Sequence, residues 1–215
     1  MNNTTHQRAS WLIQRLQDLF EQSDFQHVPS YNQFRKTTQN GFQNIIYSIT
    51  NYDELSIADI FIGVRNEAVE QLVRPFVQGL GGFTQENNTI VTSIRNYQEE
   101  EIERFKIYTP KDTHFIVEQS SLFLNSFGFQ LLDELDQIAS LHEVLNDISQ
   151  PKSKWSLNPF NRAIRGISAA QLAFYPNFDL LVQYYLDDLE RRYTIPEQLS
   201  KYKQLAAFLR TYSAN

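Results

Sequence analysis

The sequence contains no cysteine. Without a thiol there is no disulfide, no thiolate metal site, no cysteine nucleophile and no thiol redox switch, whatever the compartment. Long apolar runs are missing as well: no stretch approaches the roughly 20 residues that a bilayer crossing takes. The opening MNNTTHQRASWLIQRLQDLF lacks the basic start and unbroken apolar segment of a secretory signal. The expectation is a soluble cytoplasmic protein with no membrane partner. In that setting Asn87-Asn88-Thr89, which matches a glycosylation sequon, carries no glycan. Basic charge is in deficit, with 19 Lys and Arg against 25 Asp and Glu and a formal net charge of −6. That balance opposes the positive field used to displace counterions from phosphates, so nucleic acid ranks below other partners. The four histidines, His6, His27, His114 and His142, show no metal-ligand or nucleophile spacing. Gly79, Gly81 and Gly82 follow a helical pattern rather than a strand, and no Gly-Lys-Ser/Thr comes after them. They read as a helix stop and turn, not a phosphate loop.

What is present is core. Hydrophobic residues make up 41% of the 215, with 16 Phe and 11 Tyr, enough for one domain spanning 1–215. The chain is organised around Tyr31 to Arg65, which reads as three strands of an antiparallel meander. Asn40-Gly41 is expected to form a two-residue type I′ hairpin turn, because that turn demands positive φ at both positions. Residues 51–54 are a short polar connection to a strand at about Leu55 to Val64. There Ile60, Ile62 and Val64 share one face and Phe61 and Gly63 the other, predicting a central strand covered on both sides. Asp59 within it needs a partner or water. Asn88 to Ile94 and Arg104 to Thr109 read as two further strands, and Glu99, Glu100, Glu101 and Glu103 between them as a solvated connection.

Helical periodicity marks the rest. Leu12, Leu16, Leu19 and Phe20 predict a helix from about Thr5 to Gln22, opened by Thr4 and Gln7 at capping-box spacing, with Trp11 at the core edge. Asn66 caps a helix starting at Glu67, which Pro75 should bend or shorten. Phe115 to Phe127 is compatible with helix or strand. From Leu131 a helix runs to about Asp147, with His142 on its apolar stripe and Asp133, Glu134 and Asp136 on its wet side. Residues 150–158 form a flexible connection. The next helix is capped by Asn158 and started by Pro159, and carries Ala163, Gly166, Ala169, Ala170 and Ala173 as small surfaces for close helix approach. Phe178, Leu181, Val182, Tyr185 and Leu189 stripe a further helix. Thr194 and Glu197 open the last one at capping-box spacing. The fold class is α+β: an antiparallel sheet of about five strands with packed helices over 1–110, and a mainly helical layer over 111–215.

The progression Tyr31, Phe34-Arg35, Asn40-Gly41-Phe42 and Ile62-Gly63-Val64-Arg65 after one N-terminal helix resembles a bacterial domain family of unknown function. Its members are small α+β proteins, and the resemblance covers the first half of the chain. It implies a fold and no activity, cofactor or catalytic residue.

Function is read from chemistry alone. The leading expectation is a non-enzymatic intracellular module that binds a protein partner, since Tyr and Arg are favoured interface anchors. Its contacts would come from the sheet face or from the basic-aromatic island of Lys152, Lys154, Trp155, Arg162 and Arg165. The alternative is a small-molecule or anion-binding protein, an enzyme included. In that reading arginines such as Arg35, Arg65 and Arg95 beside strands, or Arg162 and Arg165 at a helix start, clamp a carboxylate or phosphate. A self-associating structural subunit ranks third. No catalytic residue, metal ligand or cofactor is assigned, and the oligomeric state is left open.

Overall fold

In the computed structural model, residues 3–20, 23–81, 86–98, 104–149, 153–156, 158–192 and 195–212 are described. The fold is α+β, and the chain gathers into two compact units, Met1–Val64 with Val91–Asp133 and Arg65–Ile90 with Glu134–Asn215. Among the described residues no helix is long and apolar enough to cross a membrane.

The first unit carries the sheet. Its strands are β1 (Gln26–Val28), β2 (Gln33–Thr37), β3 (Gly41–Asn51), β4 (Ser56–Asn66), β5 (Ile90–Ser93) and β6 (Phe105–Ile107). They lie in the order β1-β2-β3-β4-β5, with β6 also paired to β4. The β1–β2, β2–β3 and β4–β6 pairs are antiparallel. The Asn40-Gly41 turn is corrected by one residue. Thr37 pairs with Phe42 and the Thr38 N–H donates to the Gly41 carbonyl at 3.1 Å, so Gln39-Asn40 forms the loop. Neither has positive φ; Gly41 takes it instead, at 151°, where a side chain would be strained. Cross-strand pairs favour this register. It sets Phe34 opposite Ile45 and Arg35 opposite Asn44, and the Arg35 guanidinium lies 3.9 Å over the Phe42 ring.

The helices of this unit are α1 (Asn3–Phe20), α3 (Ile94–Gln98), α4 (Pro110–Phe123) and the start of α5 (Phe129–Leu135), with a π-helical turn at Leu124–Gly128. The ambiguous stretch from Phe115 is therefore helical. An anchor at its start is Asp112, whose carboxylate accepts from the Thr109 N–H at 2.7 Å and the Tyr108 N–H at 2.9 Å. α1 packs on α4. Leu12, Leu16 and Phe20 of α1 are buried with Phe34, Ile45, Ile60 and Ile62 of the sheet, and the Phe20 and Phe34 rings stand 4.8 Å apart. Each such side chain contributes about 1.5–3 kcal/mol. The double coverage expected of β4 is complete on one face and, on the other, reached at Gly63, which is buried. Ser56, Ala58, Ile60, Ile62 and Val64 are buried, while Ile57, Asp59 and Phe61 are half-buried. Asp59 finds its partners in Arg95 at 3.0 Å and Arg104 at 3.4 Å.

The second unit is helical: α2 (Glu67–Val77), α6 (Ile138–Leu145), α7 (Pro159–Leu172), α8 (Phe178–Arg191) and α9 (Pro196–Thr211). α7 packs against α2, α6, α8 and α9, and residues 162–170 are buried without interruption. Ala163, Gly166, Ala169 and Ala170 make that close approach sterically possible. α2 passes through Pro75 to Val77 before Gln78 caps it and Gly79, at φ 91°, turns the chain.

Two expectations are corrected. The helix expected from Leu131 to Asp147 is two, α5 and α6, parted at Asp136 and Gln137. At the break the Asp136 carbonyl accepts from the Asn66 amide at 3.1 Å, and Asp136 is buried rather than wet. α9 starts at Pro196 with Ile195 as its cap residue; Thr194 lies outside the described residues, as do the four glutamates of 99–103 and the Thr4 side chain. α1 is described as far as Phe20; Gln22, its expected end, lies outside the described residues.

Candidate interaction site

Arg65 and Arg165 converge on one acid. Glu70, near the start of α2, receives Arg165 through two bonds, Nε to Oε1 at 2.7 Å and Nη2 to Oε2 at 3.0 Å. Arg65 approaches the same carboxylate at 3.9 Å, pairs with Glu67 at 2.9 Å and donates to the Asn87 carbonyl at 2.7 Å. Thr89 Oγ1 donates to Glu70 at 2.9 Å. Arg65, Arg165 and Glu70 are all buried. The two guanidinium groups meet a carboxylate held inside the helical unit, as a buried charge must.

The basic-aromatic island divides. Arg162 is buried, and its guanidinium donates to the Leu145 carbonyl at 2.8 Å and the Asp147 carbonyl at 2.6 Å. The Leu145 carbonyl belongs to the last turn of α6, which leaves it without a helical donor, and Asp147 lies two residues beyond the helix end. Lys154, Trp155 and Arg162 do come together, lining a concavity of about 280 Å³ with Glu143 and Asp147. Its charge is mixed, and Trp155 is buried. Lys152 lies outside the described residues. Arg35 belongs to the first unit, where it stacks on Phe42 and Tyr31. There the buried amides of Gln33 and Asn44 meet at 2.5 Å, and a Gln33 oxygen turned toward Arg35 accepts from its guanidinium.

A second concavity, of about 270 Å³, is lined by His142 and Glu143 of α6, Tyr175 after α7, Leu180 and Tyr184 of α8, and Ile148. Asn146 sets the state of the histidine. Its Nδ2 donates to the Gly166 carbonyl at 2.9 Å and to His142 Nδ1 at 2.7 Å, while its Oδ1 accepts from the Tyr185 hydroxyl at 2.9 Å. With the amide fixed from both ends, Nδ1 is an acceptor and the ring is the neutral Nε2–H tautomer. Burial also lowers its pKa below the ordinary value, opposed by the nearby Glu143 carboxylate. The expected boundary histidine is therefore half-buried and hydrogen-bonded, its ring 4.6 Å from that of Tyr175.

Beside this concavity α7 ends in an unusual way. The Tyr175 N–H donates to the Ala170 carbonyl at 3.0 Å and the Phe174 N–H to that of Gln171 at 3.2 Å, the paired bonds of a Schellman motif. The left-handed residue such a motif needs is ordinarily glycine; here it is Phe174, at φ 52°. Its side chain is 77% exposed, with Leu180 at 72% and Ile148 at 51%.

Sequence periodicity marked His142, with Ile148 at the edge of its stripe, but not Tyr175, Tyr184, Phe174 or Leu180 beside them. One signal was present: Leu180 falls off the stripe of Phe178, Leu181, Val182, Tyr185 and Leu189, an apolar residue on the side meant for water. Among the described residues no three His, Asp or Glu side chains gather as metal ligands would. Compared with protein-family models, with curated proteins and with solved structures, the chain matches none.

Proposed function

We propose that the chain is a non-enzymatic protein-interaction module whose contact surface is the α6–α8 side of its helical unit. The observation that carries this reading is Phe174. A phenylalanine in the left-handed conformation costs roughly 1–2 kcal/mol, and a 77% exposed ring recovers little of it by burial. The turn needs a left-handed residue but not a phenylalanine, and strain that a glycine would relieve points to function. Isolated exposed apolar residues are ordinary, but Ile148 and Leu180 both line one concavity, and Phe174 precedes Tyr175 in its wall.

Arginine clamping of an anion has less support. Arg65, Arg162 and Arg165 each spend donors on internal acceptors, leaving the mixed-charge concavity around Lys154 and Trp155 as its remaining ground.

The test is capture of partners from host extract by the wild-type protein and by Phe174→Gly, which suits the left-handed backbone. A stoichiometric protein bound by the wild type and lost with the variant is the expected result. Equal recovery of the same proteins by both, or recovery of none, counts against the reading.

A further inference from the structure

The wall of the His142 concavity is chemically one-sided, and this bears on what a partner would present to it. The lining contains one formal charge, the carboxylate of Glu143, and neither Lys nor Arg. Glu143 is exposed and makes no ion pair or hydrogen bond among the described residues. Two phenol rings, Tyr175 and Tyr184, share the concavity with it. His142 adds no positive charge, because the Asn146 amide holds Nδ1 as an acceptor. A carboxylate beside aromatic faces is what a cationic side chain seeks: the acid supplies a charge partner and the rings an electron-rich surface. The rim is apolar at Leu180 and Ile148, so the cation should be carried on a chain with an apolar neighbour.

Resting on the interaction reading above, we propose that this concavity receives an arginine or lysine side chain from a partner protein segment, with an adjacent apolar residue of that segment covering Leu180 and Ile148. Glu143 is the charge partner, and Tyr175 and Tyr184 are the walls. On its other side Glu143 borders the concavity that holds Lys154 and Arg162. Arg162 there is held by the Leu145 and Asp147 carbonyls, which keeps its guanidinium at the end of α6.

The experiment selects random displayed peptides on the immobilised full-length protein. The enriched peptides are then synthesised, and their affinities measured by fluorescence anisotropy for wild type, Glu143→Gln and Phe174→Gly. The expected peptides share an arginine or lysine next to an apolar residue. Replacing that basic residue by neutral citrulline or norleucine should weaken wild-type binding roughly 5-fold, the scale of one solvent-accessible ion pair, and should weaken Glu143→Gln binding much less. Peptides that need no basic residue, or that bind Glu143→Gln as tightly as wild type, overturn the cation assignment. If those peptides still lose affinity for Phe174→Gly, the interaction surface stands without it. A library yielding no peptide sensitive to either substitution overturns both.

Discussion

Glu70 stands where two arginines need an acid. Arg165 binds it bidentately, Arg65 lies 3.9 Å away, and all three side chains are buried. Removing one member of such a cluster strands the others without a counter-charge, which costs about 3–5 kcal/mol. Glu70→Gln should therefore lower the stability of the helical unit by that amount. The measurement is urea denaturation followed by Trp155 fluorescence in a Trp11→Phe background, because the two tryptophans fall in different units. A loss under about 1 kcal/mol would mean that Asn87 and Glu67 hold Arg65 adequately and that Arg165 tolerates the neutral amide in place of the carboxylate. Phe174 makes the opposite prediction. Glycine at φ 52° relieves the left-handed strain, so Phe174→Gly should stabilise the same unit by about 0.5–1 kcal/mol. A gain of stability joined to a loss of binding is the signature of a residue kept for contact. A stability loss on the same assay would show that the ring packs in a way its exposure does not reveal.

At the scale of elements, α7 explains why the arginine candidates behave as they do. Its stripe of Ala163, Gly166, Ala169 and Ala170 was legible in the sequence as a surface for close packing, and the helix is in fact surrounded by α2, α6, α8 and α9. Arg162 and Arg165 sit in the same buried run, so both had to find internal acceptors. Their fate was not legible because Glu70 lies 95 residues from Arg165 and no local pattern links them. The same holds for the break between α5 and α6, where Asn66 binds the Asp136 carbonyl from 70 residues away. β1 was missed for a different reason: three residues, Gln26–Val28, are too few to show a period. The β2–β3 and β3–β4 hairpins and the central β4 were legible, since alternation and turn residues are local signals. Gly166 tests the closeness of the α7 packing. A Cβ there would lie 2.5 Å from Asn146 Oδ1 and 2.9 Å from the Tyr185 hydroxyl, the two groups that fix the His142 tautomer. Gly166→Ala should cost about 1–3 kcal/mol by overpacking and should perturb the His142 ring. Unfolding of the Trp11→Phe background and the His142 side-chain NMR signals check both effects; unchanged histidine signals would mean that Asn146 yields without releasing the ring.

At the scale of the whole molecule, each unit holds a histidine that burial keeps toward its neutral form. In the second unit it is His142. In the first it is His27, whose Nδ1 lies 3.0 Å from Gln17 Nε2 and whose Nε2 lies 2.8 Å from the Tyr47 hydroxyl. The ring is stacked 4.8 Å from that of Phe34. The Gln17 amide nitrogen donates, so Nδ1 accepts and Nε2–H faces Tyr47, an arrangement that a second ring proton disrupts. Burial lowers the pKa of both histidines below their ordinary value. The unfolded chain therefore binds more protons than the folded one between the depressed folded pKa values and about 6.5. Stability from this source is complete above about pH 6.5 and is lost as pH falls from there through the folded pKa values. A second loss follows at lower pH, where Asp112 and Asp147 are protonated: backbone and side-chain hydrogen bonds hold both below the usual carboxylate range. Acidification also reduces the net charge of −6, which relieves self-repulsion and works in the opposite direction. The histidine effect is isolated by comparing the wild type with a His27→Gln, His142→Gln double variant from pH 7.5 to 5. The wild type should lose stability across that range and the double variant should lose less. Equal losses in the two proteins would assign the acid sensitivity to other groups. A flat wild-type curve with a rising double-variant curve would mean that charge relief and histidine protonation cancel over this range.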